Sequence, residues 1–247
     1  MTIELKDHER IDYLYRENRQ IIQSQQYFAF SLDAVLLADF VELPKQKPFK
    51  LLDFCSGNGI IPLLLSAKTN QVLEGIEYQA PLVDMAQRSV SLNGLERQIK
   101  IIEGDIRTLA MPQIPYDFIT CNPPYFVPAA SKDLHRLSSH QIARHELTLT
   151  MAEWVKKAQL LLRDRGRLYI VHRPDRLDDL MECLLAHQFS VKRMKFVYPK
   201  VGDLANIVLI EAILRGGRRG VRIEPGLIVH TPDNQYTAEM KAIYYGQ

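Results

Sequence analysis

From Lys50 onward, short apolar runs alternate with helix-length amphipathic stretches, and this alternation constrains the fold more than any other feature of the chain. Short apolar-rich runs alternating with amphipathic helices are the signature of a mostly parallel sheet covered on both faces. The pattern predicts strands at 50–54, 71–77, 99–103, 116–121 and 166–172, with helices at 60–67, 81–93, 148–162 and 177–187. Two further β-rich runs, 190–198 and 205–214, are separated only by a turn containing Pro199 and Gly202. So short a link implies an antiparallel pair. The expected fold is therefore α/β, a Rossmann-like seven-stranded, mostly parallel sheet with an antiparallel last strand. A plain dinucleotide fold would end on another helical crossover.

Residues 1–49 are too few for a domain of ordinary size and are expected to form a helical or extended segment that packs on the core, formed by residues 50–247. Within that segment, Phe30 to Phe40 reads as a helix capped by Ser31. The chain has 247 residues, 47% hydrophobic and 24% charged, with a net charge of +2. That composition excludes disorder, collagen and coiled coil. Three cysteines with no paired spacing fit a reducing compartment. A charged N-terminus and the lack of any bilayer-length apolar run lead to the expectation of a cytoplasmic protein with no membrane partner. A charge of +2 does not mark a nucleic-acid binder by itself.

The segment Asp53-Phe-Cys-Ser-Gly-Asn-Gly59 links the first strand to the first helix. Glycines at Gly57 and Gly59 let the backbone approach a ligand at the carboxyl end of the sheet. The third glycine of a dinucleotide fingerprint would fall at Pro62, which lowers the NAD reading. Glu77 ends the second strand, where a carboxylate either accepts both hydroxyls of a ribose or simply caps the strand end. After the third strand, Asp105 either accepts from an adenine amine or caps a helix, and Ile106 can pack on the ring. Successive strand ends of such a sheet converge on one crevice.

Asn122-Pro-Pro-Tyr125 directly follows the fourth strand. Pro123 and Pro124 fix the backbone and donate no hydrogen bonds, which leaves the carbonyl and side-chain oxygen of Asn122 as two acceptors. Tyr125 offers a flat face for stacking. Two acceptors beside a stacking ring suit an NH₂ conjugated to a ring or carbonyl. Alignment and preorganised acceptors then favour attack of its nitrogen on an electrophilic methyl.

These motifs in this order resemble the class I S-adenosylmethionine-dependent methyltransferases of the amino-methylating group. The resemblance implies S-adenosyl-L-methionine as cofactor, with Asp53, Cys55, Gly57 and Gly59 along its methionine moiety, Glu77 at the ribose, Asp105 and Ile106 at the adenine, and Asn122 nearby. Cys55 stands where many members have a glycine. Phe30-Ser-Leu-Asp-Ala-Val-Leu-Leu-Ala, Asn-Pro-Pro-Tyr-Phe, Ala143-Arg-His-Glu146, Ala205-Asn206 and the Gly216-Gly217 turn further resemble the bacterial tRNA N6-adenine methyltransferases that modify a valine tRNA beside the anticodon. This implies tRNA as partner and places Asp33 over the cofactor.

Residues 126–147 form a long connection, in which Phe126, Lys132, Arg136, Arg144 and His145 are expected substrate contacts unless the loop is merely solvated. Arg215, Arg218, Arg219 and Arg222, interleaved with glycines, read as a phosphate-gripping turn or a solvated surface, with Lys192, Arg193 and Lys195 extending the patch. No metal site is expected, since no HExxH or paired Cys/His spacing occurs. A monomer is expected. Competing readings are glutamine methylation of a release factor, adenine methylation of ribosomal RNA or DNA, and an RNA chaperone without catalysis.

Overall fold

The computed structural model describes residues 4–27, 30–124 and 149–246. The chain opens with an antiparallel hairpin, β1 (Glu9–Leu14) and β2 (Arg19–Ser24), followed by helix α1 (Leu32–Phe40). Then come β3 (Leu51–Phe54), α2 (Ile60–Leu65), β4 (Leu73–Glu77), α3 (Ala80–Leu92), β5 (Ile99–Glu103) and β6 (Tyr116–Cys121). After the connection, α4 (Met151–Leu161) leads into β7 (Leu162–His172), α5 (Leu177–Ala186), β8 (Phe189–Tyr198) and β9 (Ile207–Leu214). Short strands β10 (Arg222–Ile223) and β11 (Leu227–Ile228) precede α6 (Ala238–Tyr245).

The sheet runs β10-β8-β9-β7-β6-β3-β4-β5, with β11 also on β8. Strands β3 to β7 are mutually parallel, and β9 inserts antiparallel between β7 and β8. The seven expected strands are present with the expected antiparallel last one; β10 and β11 enlarge the sheet to nine strands.

Alternation along each strand builds two cores. Leu51, Phe118 and Tyr169 face α1 and α2, whereas the next residues, Leu52, Ile119 and Ile170, face Trp154 of α4 and Leu180 and Leu184 of α5. Apolar residues on both faces of the central strands are what a sheet covered on both sides requires.

The N-terminal segment is more extended than helical: its first half is the β1–β2 hairpin, which rests on α3. Ile22 N–H donates to Ser89 Oγ at 2.9 Å, and Gln20 N–H to Asn93 Oδ1 at 2.9 Å. Ser31 occupies the N-cap of α1 but makes no side-chain cap bond. Instead Phe30 N–H donates to Gln23 Oε1 at 2.9 Å, which anchors the helix start to β2.

Candidate active site

The site lies at the carboxyl edge of the parallel strands. Asp53 in β3 is completely buried; its Oδ1 accepts from the Thr120 hydroxyl of β6 at 2.6 Å. Asp53 Oδ2 and Ser56 Oγ, both buried, have no hydrogen-bond partner among the described residues. Burial pushes the Asp53 carboxyl up to about 7 against the pull of the Thr120 hydroxyl and the nearby Ser56 hydroxyl, with the Glu77 charge adding to the rise.

The glycine loop is held in a left-handed path. Cys55 has φ 53°, Gly57 φ 56° and Gly59 φ 82°. Glycine meets that geometry without a steric cost, whereas Cys55 carries a Cβ through it. A Cβ at Gly57 would meet nothing within 4 Å, so open space borders the loop there. Gly75 of β4 is crowded instead: a Cβ there would lie 2.5 Å from Ser56 Oγ.

Glu77 is buried, and its Oε2 accepts from Gly57 N–H at 2.9 Å while Oε1 accepts from Gln79 N–H at 2.9 Å. Asp105 is a helix cap: it accepts from Arg107 N–H at 2.8 Å and begins a short 3₁₀ turn. The Arg107 guanidinium also binds it and holds its carboxyl below the usual range. Ile106 is 6% exposed and packs in the core beside Leu52 and Ile76, so the core takes most of the side chain expected to cover a ring.

Asn122 leaves β6 one residue past Cys121, which pairs with Phe54 of β3. The register therefore sets Asn122 alongside Cys55 at the head of the glycine loop. Asn122 is half-buried, Pro123 buried and Pro124 exposed. Burial, with the Cys55 thiol beside it, raises the Cys121 thiol, which makes it a packing group and a poor nucleophile. Asp33 lies half-buried in the first turn of α1. That turn is linked to the loop through Gln23 of β2 and the Asn58 Nδ2 donation to Ile22 O at 3.0 Å.

Tyr125, Phe126, Lys132, Arg136, Arg144 and His145 lie outside the described residues. Arg215, Arg218 and Arg219 are exposed but stand at the opposite edge of the sheet, because β9 runs antiparallel and its C-terminal end pairs with the start of β7, Ile213 against Arg167. They do not line the crevice beside Asn122. Lys192 joins their turn, donating to the Gly217 and Arg219 carbonyls. Arg193 does not: it is buried on the Phe40 ring, 4.1 Å from its centroid, among Glu42, Glu211 and Glu224. Lys195 pairs with Glu239.

The sequence reading missed Thr120, Ser56 and Gly75, whose roles depend on cross-strand register. It also missed His172, which ends β7 at this edge, 6% exposed, with Nδ1 3.3 Å from the Arg173 carbonyl. Burial lowers its pKa and keeps the ring neutral. Among the described residues no group of His, Cys, Asp and Glu is arranged to hold a metal, and no helix is long and apolar enough to cross a membrane.

Several proteins named tRNA1(Val) (adenine(37)-N6)-methyltransferase are similar to this chain. That of Tolumonas auensis is 28% identical over 85% of this chain and 86% of its own. That of Aeromonas hydrophila is 27% identical over 83% and 84%. Among solved structures, a predicted O-methyltransferase of Agrobacterium tumefaciens superposes with a TM-score of 0.66 at 20% identity, covering 87% of this chain and 96% of that one. Geranyl diphosphate C-methyltransferase of Streptomyces coelicolor, solved with S-adenosyl-L-homocysteine, gives 0.55 at 10% identity over 74% and 78%. These likenesses establish the class I methyltransferase fold, and since the methyltransferase small domain matches residues 34–197, the chain belongs to that family.

Proposed function

We propose that this protein transfers a methyl group from S-adenosylmethionine to the exocyclic N6 of an adenine in tRNA, with the adenine beside the anticodon of a valine tRNA as the specific target. The observation that carries this reading is the position of Asn122: the register of Cys121 against Phe54 brings the Asn-Pro-Pro segment to the head of the glycine loop.

The residues of the crevice fit the cofactor. Buried Asp53 Oδ2 makes no hydrogen bond to the described residues and can accept from an amino-acid ammonium, with the Ser56 hydroxyl beside it as donor or acceptor. The open space beside Gly57 gives backbone access, and Glu77 stands at the next strand end for ribose hydroxyls. Asp105 accepts from the Arg107 N–H and guanidinium on both oxygens, so meeting an adenine amine requires Arg107 to release one of them.

When bound, the cofactor supplies a methyl on a positively charged sulfur. Asn122 supplies two acceptors, its side-chain oxygen and its carbonyl, which orient the NH₂ of a splayed-out adenine so that its nitrogen lone pair faces that methyl. Pro123 and Pro124 keep competing donors away from those acceptors. No strong base is needed before attack, because the nitrogen becomes acidic only once methylated.

The test is transfer of radiolabelled methyl from S-adenosylmethionine to unmodified tRNA, ribosomal RNA, DNA and release factor, each offered separately. Label in valine tRNA is expected, and label confined to release factor overturns the reading. Asn122→Ala should retain cofactor affinity while losing on the order of 10²-fold or more in transfer rate.

A further inference from the structure

At the edge of the sheet opposite Asn122, the bulged start of β7 and the turn after β9 come together. Arg163 and Arg165 lie in the bulge, and Arg215, Arg218 and Arg219 lie in the turn; all five are exposed. Asp117 pairs with Arg163, and Asp164 lies 3.5 Å from Arg215. Arg165, Arg218 and Arg219 make no ion pair with any described residue. A chain with a net charge of only +2 thus concentrates unneutralised guanidinium groups on one remote strip.

The strip is held in shape. Lys192 donates to the carbonyls of Gly217 and Arg219, Ser190 Oγ donates to Gly216 O at 2.8 Å, and Arg215 N–H donates to Gln188 O at 2.8 Å. Arg215 and Arg219 adopt left-handed φ of 49° and 74°, a geometry glycine would meet at lower cost. A pinned turn presents its arginines with less ordering left to do on binding.

From Val208, level with His172 at the catalytic edge, to Arg215 is seven residues of β9 and turn. At roughly 3.3 Å per residue this is about 23 Å. That distance spans several base pairs of an A-form RNA helix, more than the target loop itself occupies. We propose that the strip formed by Arg163, Arg165, Arg215, Arg218 and Arg219 grips phosphates in the helical body of the RNA, well beyond the loop that carries the target base. This rests on the tRNA reading above. It makes the enzyme measure an extended RNA rather than a loop alone.

The test compares full-length valine tRNA with a short stem-loop carrying only the target loop and a few closing pairs, using wild type, R215A/R218A/R219A and R215K/R218K/R219K. Direct tRNA binding is followed alongside methyl transfer, so that a failure to methylate tRNA and a failure of the strip give different results. For full-length tRNA the alanine variant should bind about tenfold more weakly and raise KM with kcat nearly unchanged. Its dependence of log affinity on log salt should be shallower by about 2, and the lysine variant should restore most of the loss. The short stem-loop should not distinguish the three proteins. Unchanged tRNA affinity in the alanine variant, or an equal loss on both RNAs, overturns the proposal.

Discussion

The Gly57 N–H donates 2.9 Å to Oε2 of Glu77, so the acid that ends β4 also fixes the loop that follows β3. The two cofactor motifs are therefore one mechanical unit: the carboxylate that would face a ribose also sets the height of the backbone beneath it.

Glu77→Ala removes both the acceptor and that brace. Hydrogen bonds to a charged group are worth about 1.5–3 kcal/mol each, so S-adenosylmethionine affinity by calorimetry should fall roughly 10²-fold. Glu77→Gln keeps an acceptor for Gly57 and should fall between the two. Equal affinity in the alanine variant would separate Glu77 from the cofactor.

Asp53 carries a pH signature. Its carboxyl holds a proton in the fold up to about 7, whereas the ordinary value is 3.8. Between those values the native state binds more protons than the unfolded chain, so stability falls as pH rises through the window and levels off above it. The full difference corresponds to roughly 4 kcal/mol. Asp53→Asn keeps an acceptor for Thr120 and loses the titration. Urea unfolding at pH 5 and pH 8 should show a wild type less stable at the higher pH and a variant with that difference much reduced.

Gly75→Ala tests the space beneath the loop. Its Cβ would lie 2.5 Å from Ser56 Oγ and 3.1 Å from Ile101 Cδ1, so Ser56 must move. Overpacking of this kind costs about 1–3 kcal/mol, read by urea denaturation. Ser56→Gly in the same chain should recover a large part of the loss, and strictly additive effects would show that the two do not touch.

Cys55 sits at φ 53° with a side chain that glycine would lack. Relief of that geometry and the greater freedom of glycine in the unfolded chain oppose each other, so Cys55→Gly should change stability by less than about 1 kcal/mol. Cys55→Val places a β-branched side chain in the same geometry and should cost on the order of 2 kcal/mol. Thermal unfolding of both variants separates a backbone requirement from a thiol requirement.

The strands Ile99–Glu103 and Tyr116–Cys121 coincide with the expected limits, because each is an apolar-rich run bounded by polar or turn residues. The hairpin Glu9–Ser24 was not legible. It lies on α3, outside the main sheet, and charged pairs such as Arg10–Asp12 occupy its outer face, so no continuous apolar run announces it. Strands β10 and β11 are two residues each, too short to show a period.

The positions of Asn122, Gly57, Gly59 and Glu77 at or just past strand ends are readable, because each follows an apolar-rich run in chain order. The Thr120–Asp53 bond joins residues 67 apart, and Ser56 reaches under Gly75 only through the β3–β4 pairing. The arginine turn was legible as charge but not as place, since grouping by charge carries no direction along a strand.

The insertion of β9 between β7 and β8 has a consequence for biosynthesis. A ribosome that has released everything through Tyr198 has delivered both neighbours and nothing to join them. Their backbone groups stay unpaired along the edges that face each other, a state that invites pairing with another chain. Only when Ile207–Leu214 emerges can that half of the sheet close. The last long strand of the sheet to be translated is therefore the keystone, and a stop codon before Leu214 would leave that half of the sheet open rather than merely shorten the chain.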